Sequence, residues 1–169
     1  MSPSLLVPVV EVFDLAYRCK KAAFRCYDIF VRGFSESPEV SAYWLQLRDD
    51  EVKHMADLNR IKPLYLNQLR NEQLLRHELR TVNVIPSLTD HKWIARISDL
   101  NDAYLYANDI EYNELNAILN LFPIGAMAKS KFSDFVIEEI TIHQAKLARI
   151  GRMFESHSLR KLYPFRLRD

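Results

Sequence analysis

The chain has few of the residues that turn or cross-link a backbone. It has 3 glycines and 7 prolines in 169 residues, which argues against turn-rich all-β folds and excludes collagen-like and low-complexity chains. Its 2 cysteines, Cys19 and Cys26, cannot build a disulfide framework and are expected to be small core residues. No apolar run reaches the roughly 18 residues of a membrane span. Residues 1–12 lack the cationic start of a signal peptide. The sequence therefore predicts one cytoplasmic domain with no membrane partner.

An excess of either charge is also absent. Lys and Arg number 23 against 22 Asp and Glu, and the resulting net charge of +1 argues against nucleic acid as a partner. The distribution is uneven, however, because residues 146–169 hold 7 basic and 2 acidic residues. For the basic tail 155–169, packing on the chain's own bundle or on a second subunit is favoured over contact with an anionic partner.

The apolar residues that are present recur with helical spacing, and no alternating strand pattern is visible. Ser37 is a candidate N-cap with Pro38 at the first helical position, and Pro63 is expected to kink or stop the second helix. Ser98 is the candidate N-cap of the third. The four long helices predicted in this way span about residues 5–34, 38–62, 98–122 and 125–154.

The connections between these helices restrict the topology. The first and second helices are joined by a short link, as are the third and fourth, whereas residues 63–97 form a long connection. An all-α bundle of two antiparallel hairpins joined by a long, partly helical crossover is therefore predicted for residues 1–154. Within the crossover, the leucine-rich segment 64–81 is expected to form a helix that packs on the bundle or across a dimer interface.

Several charged residues fall on the apolar stripes that should face the bundle interior. An unpaired carboxylate buried there costs several kcal/mol, unless a counter-charge or a metal ion compensates it. Carboxylate oxygens together with imidazole nitrogens are a ligand set that iron or manganese accepts. The charged residues on the stripes are Lys20 on the first helix, Glu51 and His54 on the second, Glu111 and Glu114 on the third, and Glu139 and His143 on the fourth.

These motifs resemble those of a known family. Glu51-Val-Lys-His54 resembles the Glu-x-x-His helix of rubrerythrins and other ferritin-like di-iron proteins, and Glu111-Tyr-Asn-Glu114 resembles the Glu-x-x-Glu of their third helix. Ala22-Ala23-Phe24-Arg-Cys-Tyr27 is similar to the spacing on their first helix. The resemblance covers about residues 16–150. It implies a ferritin-like four-helix bundle that oxidises iron or reduces peroxide or dioxygen, with electrons from an external donor. The metal ligands implied are Glu51, His54, Glu111, Glu114 and His143.

The sequence departs from the family pattern at two positions. Lys20 stands where the first helix of the family carries a glutamate, and Ile140 stands three residues before His143. Glu139, four residues before His143, shares its face and is the substitute ligand that we expect. We expect Lys20 to pair with an inward glutamate, Glu51 first, and the site to hold at most one metal.

Two alternatives remain open from the sequence. Lys20 could extend to solvent, with Glu11 or Asp14 completing a metal site. The chain could also be a metal-free bundle that has lost the di-iron site and serves as an interaction or structural module. In either case a homodimer is the expected assembly, because twofold symmetry is the commonest in soluble oligomers.

Overall fold

A computed structural model describes residues 6–68, 73–75, 91–121, 141–142, 145–146, 148–149, 152 and 160–167. Helices make up most of this part of the chain, as the sequence predicts, and none of the described helices is long and apolar enough to cross a membrane. The described residues between 141 and 152 are also helical. The elements are β1 (Leu6–Pro8), α1 (Val9–Gly33), α2 (Pro38–Gln68), β2 (Gln73–Leu75), α3 (His91–Ile94) and α4 (Leu100–Leu121).

Helices α1 and α2 form an antiparallel hairpin around a tight turn at residues 34–37. As predicted, α2 begins at Pro38, and the Ser37 carbonyl accepts the first helical hydrogen bond from the Ser41 amide at 2.9 Å. The Ser41 hydroxyl donates back to the Val31 carbonyl of α1 at 3.0 Å. Proline at the first helical position has its φ preset and no amide hydrogen to leave unsatisfied, so the turn ends in a defined helix start.

An aromatic core fills the space between the helices. Phe30 and Trp44 are fully buried, with ring centroids 4.7 Å apart, and Trp44 stacks on Tyr27 at 5.8 Å. Cys19 and Cys26 are buried free thiols, as expected. Large rings of this kind each remove 150–250 Å² from water, so they dominate the stabilisation of a bundle this small.

Helix α4 packs on α1 in the antiparallel direction. Tyr27 of α1 contacts Glu111 of α4, and Phe30 of α1 contacts Tyr106 of α4. The contacts therefore move backward along α4 as they move forward along α1. Because α2 is also antiparallel to α1, α2 and α4 run parallel to each other. Parallel helices cannot be joined by a tight turn, since the chain must first return to the opposite end. The long connection between α2 and α4 is therefore a requirement of this topology.

The path of that connection differs from the prediction in two ways. Helix α2 does not stop at Pro63 but continues to Gln68. Pro63 and Asn59 are exposed, so water can bond the Asn59 carbonyl that the proline leaves without a donor. Of the helix predicted over 64–81, residues 64–68 are helical as the end of α2, but residues 73–75 form β2, which pairs antiparallel with β1, Leu6 opposite Leu75. The other residues of that range lie outside the described part of the chain. Strands of three residues are too short to show the two-residue period by which a strand is recognised.

The start of α4 also differs from the prediction by one residue. Asp99, not Ser98, is the N-cap, because its Oδ1 accepts the Asp102 amide at 3.0 Å. Ser98 instead donates its amide and its hydroxyl to Asp102 Oδ2, at 3.0 and 2.6 Å. This reciprocal arrangement satisfies amides that would otherwise be orphaned at the helix start.

The arm 160–167 packs on the chain's own bundle, one of the two arrangements expected for the tail. The Phe165 amide donates to the Ser98 carbonyl at 2.9 Å, and the Leu100 amide donates to the Tyr163 carbonyl at 3.0 Å. The Phe165 ring lies edge-on to Phe34, with centroids 5.4 Å apart. The arm thus joins the start of α4 to the α1–α2 turn.

Candidate functional site

The first half of the site is an ion cluster between α1 and α2. Lys20 Nζ lies 3.5 Å from Glu51 Oε2, and His54 Nδ1 lies 3.4 Å from the same oxygen. All three residues are buried, and Glu51 has no exposed surface. Glu51 and His54 are three positions apart, so they share one face of α2. Lys20 meets them across the hairpin, which is the contact expected from its place on the α1 stripe.

The second half of the site lies between α1 and α4. The Tyr27 hydroxyl donates to Glu111 Oε1 at 2.5 Å, and both residues are buried. Burial, together with the negative charges of Glu111 and Glu51, raises the pKa of Tyr27 well above its ordinary value. Burial and Glu111 likewise raise the pKa of the Cys26 thiol. Because the charges of both carboxylates act on the Tyr27 hydroxyl, the two halves form one electrostatic unit.

We call Lys20, Tyr27, Glu51, His54 and Glu111 the buried charge centre. It contains two carboxylates, one ammonium group and one imidazole, so the Lys20 ammonium group balances part of the carboxylate charge without any added ion. Tyr27 supplies a neutral donor to Glu111. Charges in a poorly solvated interior interact far more strongly than they do in water, so such a balance is what allows them to be buried.

A second ion pair lies beside the centre and links α2 to the 141–152 segment. Asp50 is paired with Lys146, and the Tyr43 hydroxyl donates to the Lys146 carbonyl at 2.5 Å. Burial works to raise the pKa of Asp50, but Lys146 and Lys53 outweigh it and lower that pKa. Sequence reasoning missed this pair because Asp50 lies off the apolar stripe, although its place next to Glu51 was a usable signal.

The structure describes some of the residues predicted as metal ligands and not others. Glu51, His54 and Glu111 are all buried, as their stripe positions predict. Glu114 lies on α4, but its side chain is outside the described residues, as are Glu139 and His143 altogether. Asp14, an alternative ligand, is exposed and paired with Lys62, so it does not face the centre. The side chain of Glu11 is also outside the described part.

The donor set was also tested for its fit to a metal. Among the described residues, no group of three or more His, Cys, Asp or Glu side chains gathers as a metal site would require. Glu51 faces an ammonium group and Glu111 faces a phenol, whereas a di-metal centre needs these carboxylates as bridging or terminal ligands. The described residues therefore do not fit a pair of metal ions.

No protein-family profile, curated protein sequence or solved structure matches this chain. The site must accordingly be interpreted from its own geometry and chemistry.

Proposed function

We propose that the chain is a ferritin-like four-helix bundle in which Lys20 takes over the charge role of a metal ion. On this proposal the bundle folds without metal and serves as an interaction or structural module. The contact between Lys20 Nζ and Glu51 Oε2, at 3.5 Å inside the hairpin, carries the proposal. The antiparallel α1–α2 and α1–α4 pairs, with a long connection between parallel α2 and α4, support the ferritin-like assignment.

A carboxylate that is buried away from water requires a compensating positive charge. Glu51 is fully buried, so its charge must be compensated within the protein or by a bound cation. Lys20 places a full positive charge there, and that same charge repels a metal ion at Glu51. On this proposal a single side chain both stabilises the buried acid and lowers its affinity for a metal ion.

A metal-binding function is the second proposal, favoured by the burial of Glu51 and His54 on α2 and of Glu111 on α4. Their oxygen and nitrogen donors suit iron or manganese, and Glu114, Glu139 and His143 are the further ligands expected from the sequence. With Lys20 present, we expect at most one ion. When bound, it would supply iron oxidation or peroxide or dioxygen reduction, with electrons from an external donor.

Metal analysis separates the two proposals. The protein is purified from iron-supplemented cells, analysed for iron and manganese, and then titrated anaerobically with ferrous and manganous ions. The metal-free proposal expects a stoichiometry near zero and a melting temperature that a chelator leaves unchanged. One ion per chain would establish the second proposal in its place, and two ions would refute both.

Substitution of Lys20 tests the charge role directly. Lys20→Met should lower the free energy of unfolding by roughly 3–5 kcal/mol, because it leaves a buried carboxylate without its partner. Lys20→Glu should be destabilised without metal and should regain stability when ferrous or manganous ion is added. Lys21→Met, at the exposed neighbouring position, is the matched control. A Lys20→Met protein with the same melting temperature as the wild type would contradict the proposal.

A further inference from the structure

The arm 160–167 has two chemically different sides. Tyr163 and Phe165 face inward and pack against the aromatic core. Lys161, Leu162 and Leu167 are exposed, and Leu162 retains 71% of its accessible surface and Leu167 46%. An arm that only had to pack on the bundle would need its inward aromatics and no outward leucines.

Helix α3 presents similar residues at the same end of the molecule. Lys92 and Arg96 are exposed, and the Arg96 guanidinium lies over the Trp93 ring, 5.7 Å from its centroid. The hydrogen bond from Phe165 to Ser98 fixes the arm beside the residues that follow α3. We call this surface the end patch, and its members are Lys92, Trp93, Arg96, Lys161, Leu162 and Leu167.

Three described acidic residues, Glu36, Asp99 and Asp102, lie at the same end as the end patch. Asp102 accepts hydrogen bonds from Ser98, and Asp99 caps α4. Glu36 faces Arg166 at 3.6 Å across the α1–α2 turn. Although burial opposes it, the hydrogen bonds from Ser98 and the positive charge of Lys161 lower the pKa of Asp102. The described basic residues at this end, Lys92, Arg96, Arg160, Lys161 and Arg166, outnumber these three acids, so an excess of positive charge surrounds two exposed leucines.

We propose that the end patch docks on the surface of an anionic lipid bilayer. Cations near an anionic leaflet are attracted electrostatically, and exposed leucines among them can enter the boundary between headgroups and acyl chains. None of the described helices is long and apolar enough to cross a membrane, but surface contact requires only such a patch. The end patch shares no residue with the buried charge centre. A failure of lipid binding would therefore leave the function proposed above untouched, and the reverse also holds.

Nucleic acid fits the same surface less well. Binding to single strands uses exposed aromatic faces on which bases stack. Here Trp93 is packed against Tyr106, with centroids 5.0 Å apart, and under Arg96, while Tyr163 and Phe165 are partly buried against the core. Leucines add nothing to contacts with a phosphate backbone. The hydrophobic part of the end patch is thus explained by lipid and unexplained by nucleic acid.

Vesicle flotation of the full chain tests the proposal. Phosphatidylcholine vesicles with and without phosphatidylserine are used at low and high salt, with a single-stranded oligonucleotide as the competing ligand. We expect binding only to the phosphatidylserine vesicles, weakened by salt. Lys92→Gln and Lys161→Gln should each reduce vesicle affinity about fivefold. Leu162→Ser should reduce it further without changing the melting temperature.

Matched controls lie elsewhere on the surface. Lys21→Gln removes an exposed lysine of α1, and Leu105→Ser removes a leucine of α4 that is 53% exposed. Both should leave vesicle binding unchanged. Failure to float with phosphatidylserine vesicles would overturn the proposal. So would equal losses in the control variants, or oligonucleotide binding that depends on the end-patch lysines in the absence of vesicle binding.

Discussion

Tyr27 interacts electrostatically with both carboxylates of the buried charge centre, Glu51 and Glu111, and its neutral hydroxyl donates a hydrogen bond to Glu111. Its place on the α1 stripe predicts burial, but its partner could not be predicted from the stripe. Periodicity within one helix identifies the inward face, whereas the pairing with Glu111 depends on how α1 and α4 pack together. The pairing of Lys20 with Glu51 was predictable because the short link fixes α1 against α2, but only the structure gives the distances from Lys20 and His54 to the Glu51 carboxylate.

Removing the Tyr27 hydroxyl should destabilise the protein. Tyr27→Phe takes a donor from buried Glu111, so we expect a loss of about 1–3 kcal/mol in the free energy of unfolding, measured by urea denaturation. Tyr112→Phe, at a position that is 64% exposed on the same helix as Glu111, should change it very little. Equal stability of the two variants would show that the hydrogen bond contributes nothing net.

Gly33, the last residue of α1, illustrates how one contact can reverse a general rule. Replacing a helical glycine by alanine normally stabilises by roughly 0.5–1 kcal/mol. At Gly33, however, an added Cβ would overlap the ring of Phe165, which is held between Phe30 and Phe34. We therefore expect Gly33→Ala to destabilise by about 1–3 kcal/mol, because the arm must shift or detach.

A double-mutant cycle checks that explanation. In a Phe165→Ala background the overlap is gone, so Gly33→Ala should become neutral or stabilising. Thermal unfolding of the four proteins measures the coupling. Purely additive effects would mean that Gly33 is required for some reason other than the Phe165 ring.

At the scale of elements, the α4 start gives a cap that can be tested without touching the core. Asp99→Ala removes the acceptor of the Asp102 amide and should cost about 1 kcal/mol in the free energy of unfolding. Asp99→Ser retains a capping oxygen and should stay within a few tenths of a kcal/mol of the wild type in chemical denaturation. If alanine and serine behave alike, the cap is not what stabilises the start of α4.

Helix starts were more predictable than helix ends. The start of α2 follows from Ser37 and Pro38 alone, because capping and a preset φ are local effects. The end of α2 depends on whether water can satisfy the backbone at Pro63, and the β1–β2 pairing joins segments more than sixty residues apart. Neither is encoded in a short window of sequence. The sequence therefore left a stop at Pro63 open beside a kink, and it predicted helix at residues 73–75, where β2 forms.

At the scale of the whole molecule, the relative directions of α1, α2 and α4 were predictable because loop length restricts direction. A short link forces α1 and α2 to be antiparallel, and a long one permits α2 and α4 to be parallel, as the structure has them. The ion pairs between segments were less predictable. Asp50 and Lys146 are ninety-six positions apart, and each would be expected on a solvated face when its own helix is considered alone.

The pair between Asp50 and Lys146 should make the assembly of α2 with the 141–152 segment sensitive to acid. Lys146 and Lys53 lower the pKa of Asp50 despite its partial burial, so the folded state keeps this carboxylate charged where the unfolded chain takes up a proton. The stability it contributes is therefore complete above the ordinary aspartate pKa of about 4, and it is lost as the pH falls through the lower folded value.

Asp50→Asn should lower the free energy of unfolding at neutral pH by up to about 1 kcal/mol, because the pair is partly exposed. It should also flatten the loss of stability below about pH 4, where the wild type gives up the same interaction. Lys146→Gln should produce the same profile, and the double variant should add little to either. Asp49→Asn, at the exposed neighbouring position, is the control and should keep the wild-type acid dependence. Urea denaturation across the acid range measures all four variants, and an Asp50→Asn profile parallel to the wild type would show that another carboxylate controls the acid response.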